Sequence, residues 1–450
     1  MNKDTLIEQL ELAEKHHMQI NWTEFTKSPT QTPITNSTLV DQSGIVGRIG
    51  IMLLSCGTGA WRVRESMDVI ASSLGIKCSA DIGLTSIEYT CFTENNLSYS
   101  QTLSLPATGV NMTKLTKLEQ FVTEFPTKVK QLTIGEVHQT LDEINHERSL
   151  YPASIAGLAS GLACGGFIFL LGGGIIEVIC AFIGAGIGNF TRAYMGKKQL
   201  TLFAKISCSV MIACLMYFLA FSIINSIFHV GTVHTRGYIG AMLFVIPGFP
   251  FITSGLDMSK LDMRSGLERL AHAIQIVVIA TTFAWGAATI CQIHPGDFPK
   301  LGLDPITLTG LRLIASFCGV FGFSLMFNSR PKLAATAGVL GAIANTLRLS
   351  LVQFLLIPGG FAAFIGALLS GLLASLVRKK TGFPRIAITV PSIVIMVPGL
   401  YLYRGIFYLG LSQFENGLGW VIQALLIIIA LPFGLITARI LTDKKWRHIG

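Results

Sequence analysis

Charge is scarce in this 450-residue chain: Asp, Glu, Lys and Arg make up 13% of it, against about a quarter in ordinary soluble domains. With 51% hydrophobic residues and a mean hydropathy of +0.59, that scarcity excludes a wholly water-exposed globular protein. Metal-ligand spacing is also missing. The nine cysteines, Cys56, Cys78, Cys91, Cys164, Cys180, Cys208, Cys214, Cys291 and Cys318, form no CxxC and no paired His/Cys pattern, so no zinc, redox centre or other cofactor is expected. Glycine-rich CGTGAWRVRESM lacks the Gly-Lys-Ser/Thr ending and preceding strand of a phosphate loop, and reads instead as a helix start. No catalytic triad is recognisable. The polar N-terminus MNKDTLIEQLELAEKHHMQINW lacks the apolar core of a secretory signal, which places the first domain in the cytosol. Thiols there stay reduced, so Cys78 and Cys91 are not expected to bridge even if adjacent strands bring them together.

Long apolar runs are abundant after Tyr151. About 20 apolar residues cross the hydrocarbon layer as a helix, because backbone amides find no water there. Ten spans result: 154–172, 174–194, 203–225, 238–255, 267–291, 306–327, 333–351, 354–377, 384–408 and 418–441. With the first domain inside, Lys197, Lys198, Lys260, Arg264, Arg330, Lys332, Arg378, Lys379, Lys380, Lys444, Lys445 and Arg447 fall on the cytosolic side, and only Arg236 and Lys300 outside. This asymmetry gives an N-in, C-in topology in the inner membrane and accounts for the net charge of +9 without nucleic acid.

The spans repeat. Span 2 ends in GAGIGNFTR (Gly184 to Arg192) and span 7 in GAIANTLR (Gly341 to Arg348), aligning Asn189 with Asn345 and Arg192 with Arg348. VIPGFPFITSG in span 4 and MVPGLYLYRG in span 9 align Pro247-Gly248 with Pro398-Gly399. Both matches are displaced by five spans, an odd number, so the expected architecture is two inverted five-helix units, an arrangement common in secondary transporters. Proline and glycine inside a span free backbone groups, which are tolerated only against protein or a wet cavity. They mark either a simple kink or a binding region.

Before the spans the pattern is that of a small α+β domain. Helical spacing covers 44–56, 60–74, 113–125 and 133–147, and IKCSADIG, SIEYTCFT and SYSQTLSLP alternate as strands. The expected division is a flexible leader at 1–42, the cytosolic domain at 43–150, and membrane units at 151–295 and 296–450. His138 and His146 are expected to be solvated on a polar helix.

Ionisable groups within the bilayer are functional candidates because they are costly there. Arg404, mid-span beside Tyr401 and Tyr403, could hold a carboxylate with its fork or satisfy an internal ion pair. Arg192, Arg348, Asn189 and Asn345 are candidates for substrate binding or gating, or could snorkel from span ends. Glu177 could take up protons or cap a helix. Glu268 and His272, with Gln275, share one helical face and could relay protons. Asp257 could bind ligand or pair with Arg269.

GTGAWRVRESMDVIASSLG (Gly57 to Gly75), GVNMTKL (Gly109 to Leu115) and TIGEVHQTLDEI, followed by Ile246 to Gly248, Asp257, Gly266, Arg269 and VPGLYLYRG (Val397 to Gly405), resemble the threonine/serine exporter family in its fused two-unit form. The resemblance implies proton-driven export of threonine and serine. Split relatives are associated with succinate export, so a dicarboxylate exporter is the nearest alternative. A membrane enzyme with a hydrolase-like cytosolic domain, or an uncoupled channel, are the others. The partners implied are a small amino acid or carboxylate, protons and the lipid bilayer; a homo-oligomer is compatible with the sequence.

Overall fold

The computed structural model describes residues 21–22, 26–293, 295–299 and 301–447. The first twenty residues of the expected leader, positions 23–25 and Lys300 lie outside the described residues. The chain divides into two units, one running to Arg148 and including Asp262–Ser265, the other comprising Ser149–Leu261 and Gly266 onward.

In the first unit, helices α1 (Leu39–Ser55) and α2 (Ala60–Ser73) precede an antiparallel sheet, β1 (Lys77–Ile82), β2 (Ser86–Phe92) and β3 (Ser98–Ser104), and α3 (Met112–Lys128) and α4 (Ile134–Asn145) follow it. Thr38 caps α1 by accepting from the Asp41 amide, and Thr133 with Glu136 closes a reciprocal capping box on α4. Ile45, Ile49 and Leu53 of α1 lie buried, as do Ile87 and Leu103 from the sheet and Val137 and Leu141 from α4. Cys78 and Cys91 are direct partners across β1 and β2, and both are free thiols.

Two expectations fail here. Residues 26–42 are held rather than loose: Ile34 is fully buried, its amide donates to the Leu132 carbonyl, and Asp41 accepts from Ser28 and Thr38. Those hydrogen bonds draw the Asp41 carboxyl below its usual range despite partial burial. His138 is not solvated either, being 7% exposed. It lies on the α4 stripe of Ile134, Val137 and Leu141, and its Nδ1 accepts from Arg48 Nη1 at 2.7 Å, while Arg48 also pairs with Asp142. Burial, then the neighbouring guanidinium, pulls His138 down to about 4, so it stays neutral. His146 is exposed.

Among the described residues eight helices are long and apolar enough to cross a membrane, and two bent pairs raise the number to ten if each pair is one span. The long ones are α5 (Ala153–Leu170), α6 (Ile175–Lys197), α7 (Leu202–Phe228), α10 (Met263–Ile290), α11 (Pro305–Met326), α12 (Pro331–Phe354), α13 (Gly359–Thr381) and α16 (Phe414–Thr442). The bent pairs fall at the expected spans 4 and 9. Thr232–Val245, containing α8 (Tyr238–Met242), meets α9 (Gly248–Met258) at 51°, and α14 (Arg385–Val394) meets α15 (Gly399–Gly410) at 52°. This is a multi-pass membrane protein. The reversal between α5 and α6 runs through Gly172 at φ +102°, a conformation only glycine adopts cheaply.

Candidate functional site

Both breaks have one local cause. Pro247 sits at φ −81°, ψ 60° and Pro398 at φ −83°, ψ 57°, close to the inverse γ-turn geometry. Accordingly the Gly248 amide donates to the Ile246 carbonyl at 2.8 Å, and the Gly399 amide to the Val397 carbonyl at 2.9 Å. Proline lacks the amide that would continue the helix, and glycine lets the next helix start at once.

The two breaks pack on each other. A Cβ on Gly248 would lie 3.1 Å from Val397 and 3.3 Å from Val394, while one on Gly399 would lie 2.9 Å from Leu243 and 3.1 Å from Ile246. Aligning the two prolines makes Leu243 the counterpart of Val394 and Ile246 that of Val397, so each glycine touches the counterparts of the residues that touch the other. Helices α6 and α12 flank this crossing, with Gly184 against Ala241 and Gly341 against Ser392. Helices α5 and α11 cross in the same mutual way, Gly166 against the Ala315 carbonyl and Gly322 against the Ala159 carbonyl.

Arg404, 5% exposed, already has partners: Nη1 donates to Asp297 Oδ1 at 2.9 Å and Nη2 to the Gly296 carbonyl at 2.6 Å. Its guanidinium also lies 4.8 Å from the Trp420 ring centroid. Tyr401, three residues earlier on the same face, also packs against Trp420, its ring tilted at 54° with the centroids 5.0 Å apart. Tyr403 faces elsewhere, its hydroxyl 2.6 Å from that of Tyr238 on the other broken span. The expected cluster of Arg404, Tyr401 and Tyr403 is therefore divided between two faces of one helix.

Asn189 donates to the Ala156 carbonyl at 2.8 Å, tying α6 to α5, and Asn345 donates to Ser316 Oγ at 2.9 Å, tying α12 to α11. The arginines three residues on from them have no acidic partner among the described residues. Arg192 lies 5.4 Å from the Phe244 ring centroid, just ahead of the first break. Arg348 makes one long contact of 3.4 Å to Asn345 Oδ1 and leaves its buried Nε without an acceptor.

The acids are distributed differently. Glu177 is completely buried; Oε2 accepts from the Gly174 amide at 2.9 Å and Oε1 lies 2.6 Å from His234 Nδ1. Asp257, also completely buried, pairs with Arg269 Nε at 3.1 Å. Glu268 and His272 are half-buried, whereas Gln275, on the same expected stripe, is exposed. His234, Tyr238 and Asp297 were not singled out by sequence pattern, since each acquires its part from a partner more than fifty residues away. No group of three or more metal-ligating side chains occurs among the described residues.

A family described as "Putative threonine/serine exporter" matches residues 44–291, and one described as "Threonine/Serine exporter, ThrE" matches residues 312–441. Among curated proteins, a "Probable threonine/serine exporter" of Mycobacterium tuberculosis is 22% identical over 88% of this chain and 75% of its own. The "Threonine/serine exporter" of Corynebacterium glutamicum is 22% identical over 84% and 79%. "Probable succinate transporter subunit YjjP" of Escherichia coli is 25% identical over 52% of this chain and 87% of its own. No solved structure matches. The relatives' names point to transport rather than to enzymatic chemistry. With one family description covering more than half of the chain and another most of the remainder, the chain belongs to the threonine/serine exporter family.

Proposed function

We propose that this protein exports threonine and serine across the inner membrane by proton antiport, using two inverted five-helix repeats, with both termini in the cytosol. The observation that carries the reading is the mutual packing of the two broken spans. Contacts in which each partner touches the equivalent of its own contact surface are what a two-fold axis produces, and the axis implied runs between halves that cross the bilayer in opposite senses. Repeats of that kind exchange inward-open and outward-open states about a central site.

The site lies between spans 2, 4, 7 and 9. Arg192 and Arg348 hold the substrate carboxylate, because a guanidinium without an acid in a low-dielectric setting favours an anion strongly. Arg404, whose Nη atoms are engaged by Asp297 and Gly296, steadies span 9 instead. The backbone carbonyls and amides loosened around Pro247-Gly248 and Pro398-Gly399 serve the ammonium and hydroxyl groups. An amino acid is favoured over a dicarboxylate because the relatives named for threonine and serine align over most of the chain, whereas the one named for succinate aligns over 52% of it.

Purified protein in vesicles loaded with labelled threonine or labelled succinate tests this. Threonine efflux accelerated by an inward proton gradient is expected. Succinate efflux without threonine efflux overturns the substrate, and threonine flux indifferent to the gradient overturns the coupling.

A further inference from the structure

We propose that Glu177 and His234 form the proton-uptake dyad of this antiport, on the side of the membrane where the Gly172–Gly174 reversal lies, with Tyr217 as the positioning residue. The proposal rests on the antiport reading above and names the groups that perform it.

A carboxylate with no solvent exposure must be neutralised or paired, since burying an isolated charge is prohibitive. Glu177 has the backbone amide of Gly174 on one oxygen and the imidazole of His234 on the other, at 2.9 Å and 2.6 Å. Once the pair has taken up a proton, its two forms, Glu⁻ with HisH⁺ and neutral Glu with neutral His, differ only by the position of that proton along the contact. The His234 side chain is 22% exposed while the Glu177 side chain is wholly enclosed. His234 thus reaches from water to the buried acid. With Glu177 ionised and His234 neutral, Nε2 accepts a proton from water and the Nδ1 proton passes to Glu177 Oε1. The imidazole returns to its neutral form and the carboxyl holds the proton.

Other titrating groups face the pair. From its own helix, Cys180 faces Glu177, and from α7 comes Tyr217, whose hydroxyl donates to the His234 carbonyl at 2.6 Å. Arg236, on the same turn as His234, points to the Asp297 carbonyl at 2.8 Å instead. Around the Gly172–Gly174 reversal, Ile168, Phe298 and Leu301 lie within 4 Å of where a Cβ would sit, and all three are apolar. Close approach depends on Gly237, where a Cβ would lie 2.2 Å from Tyr217 Oη and 2.8 Å from Glu177 Cγ.

A mechanical consequence follows from where His234 sits. It belongs to the turn Thr232–Gly237, which leads directly into α8 and the break at Pro247. Protonation of Glu177 replaces a charged contact with a neutral one and loosens this turn, and the loosening reaches the broken span without an intermediary.

The test uses full-length protein in vesicles and two assays, gradient-driven threonine accumulation and gradient-free threonine-for-threonine exchange. Glu177→Gln is expected to lose gradient-driven accumulation about a hundredfold, in the range that general acid–base groups supply, with a far smaller fall in exchange, which moves no net proton. His234→Gln should slow coupled flux and flatten its dependence on external pH, and Tyr217→Phe should lower the rate while keeping the pH profile. Should Glu177→Gln fail to fold, the His234→Gln profile decides alone, because that side chain can still hydrogen-bond the carboxylate. Coupled transport by Glu177→Gln at wild-type rates, equal loss of both assays in folded protein, or an unaltered pH profile in His234→Gln overturns the dyad. Wild-type protein that ignores the gradient overturns the antiport itself, a distinct result.

Discussion

The two halves of the membrane unit share one backbone device and carry different chemistry on it. Spans 4 and 9 break at Pro-Gly with bends of 51° and 52° and nearly equal proline torsions. Yet the completely buried acids, Glu177 and Asp257, both lie in the first half, paired with His234 and Arg269. The second half has no buried carboxylate among the described residues; its buried Arg404 is met by the exposed Asp297, whose side chain is 90% accessible, and its buried Arg385 by the Gly371 carbonyl and Thr442. The backbones are similar and the charge content differs, the frame in which the proposed division of proton and anion handling is tested.

The sharpest way to break this comparison is to remove Arg192 and Arg348. Each charge-assisted contact is worth about 1.5–3 kcal/mol, so Arg192→Ala and Arg348→Ala should each weaken threonine transport by roughly tenfold to a hundredfold, and the double variant should be inactive in vesicle efflux. If only one matters, anion handling belongs to one half. Next comes Arg269→Ala, which takes the guanidinium away from the completely buried Asp257 and should cost about 3–5 kcal/mol, visible as a lowered melting temperature in detergent. Arg269→Ala combined with Asp257→Asn should recover part of that loss.

Acid effects must be kept separate from His138 in the first unit. Its depressed value of about 4 means that the unfolded chain binds a proton near 6.5 before the folded one does. The associated stability is complete above that pH and is lost as pH falls toward 4, up to about 3 kcal/mol. Hydrogen exchange of α4 measured at pH 7 and pH 5 should show the loss, and His138→Gln should remove it.

Smaller effects are expected at the crossing. Gly248→Val and Gly399→Val each force a side chain into a contact of about 3 Å, costing about 1–3 kcal/mol, and the two losses should be alike in thermal melts. Unequal losses would break the equivalence of the two spans. Arg404→Lys should do least to substrate affinity, changing it less than about threefold in a binding titration, while lowering stability through loss of the forked contact to Asp297 and Gly296. A large affinity loss would return Arg404 to the binding site.

Much of this was legible in the linear chain because it is local or periodic. Apolar length determines where a helix crosses, since every amide must bond within its own segment when water is absent. Pro247-Gly248 and Pro398-Gly399 announce breaks because proline lacks an amide wherever it stands. Asn189 with Asn345, and Arg192 with Arg348, are visible as matches before any packing is known.

Partner choice was not legible. Whether Arg404 awaits a substrate or is already held depends on Asp297 being delivered from another loop, and Glu177 becomes one member of a dyad only when the Thr232–Gly237 turn folds over α6. His138 looks polar and exposed until α4 lays it against Arg48. Tyr401 and Tyr403 look like neighbours, but helical rotation sends one to Trp420 and the other to Tyr238. In each case the deciding contact joins residues tens to more than a hundred positions apart, so it is chosen by which helix faces pack together. Hydrophobic pattern constrains those faces without specifying the pairs: the sequence alone determined the long apolar helices, the two Pro-Gly breaks and the matching motifs five segments apart, and the tertiary structure decided which charges are paired and with whom.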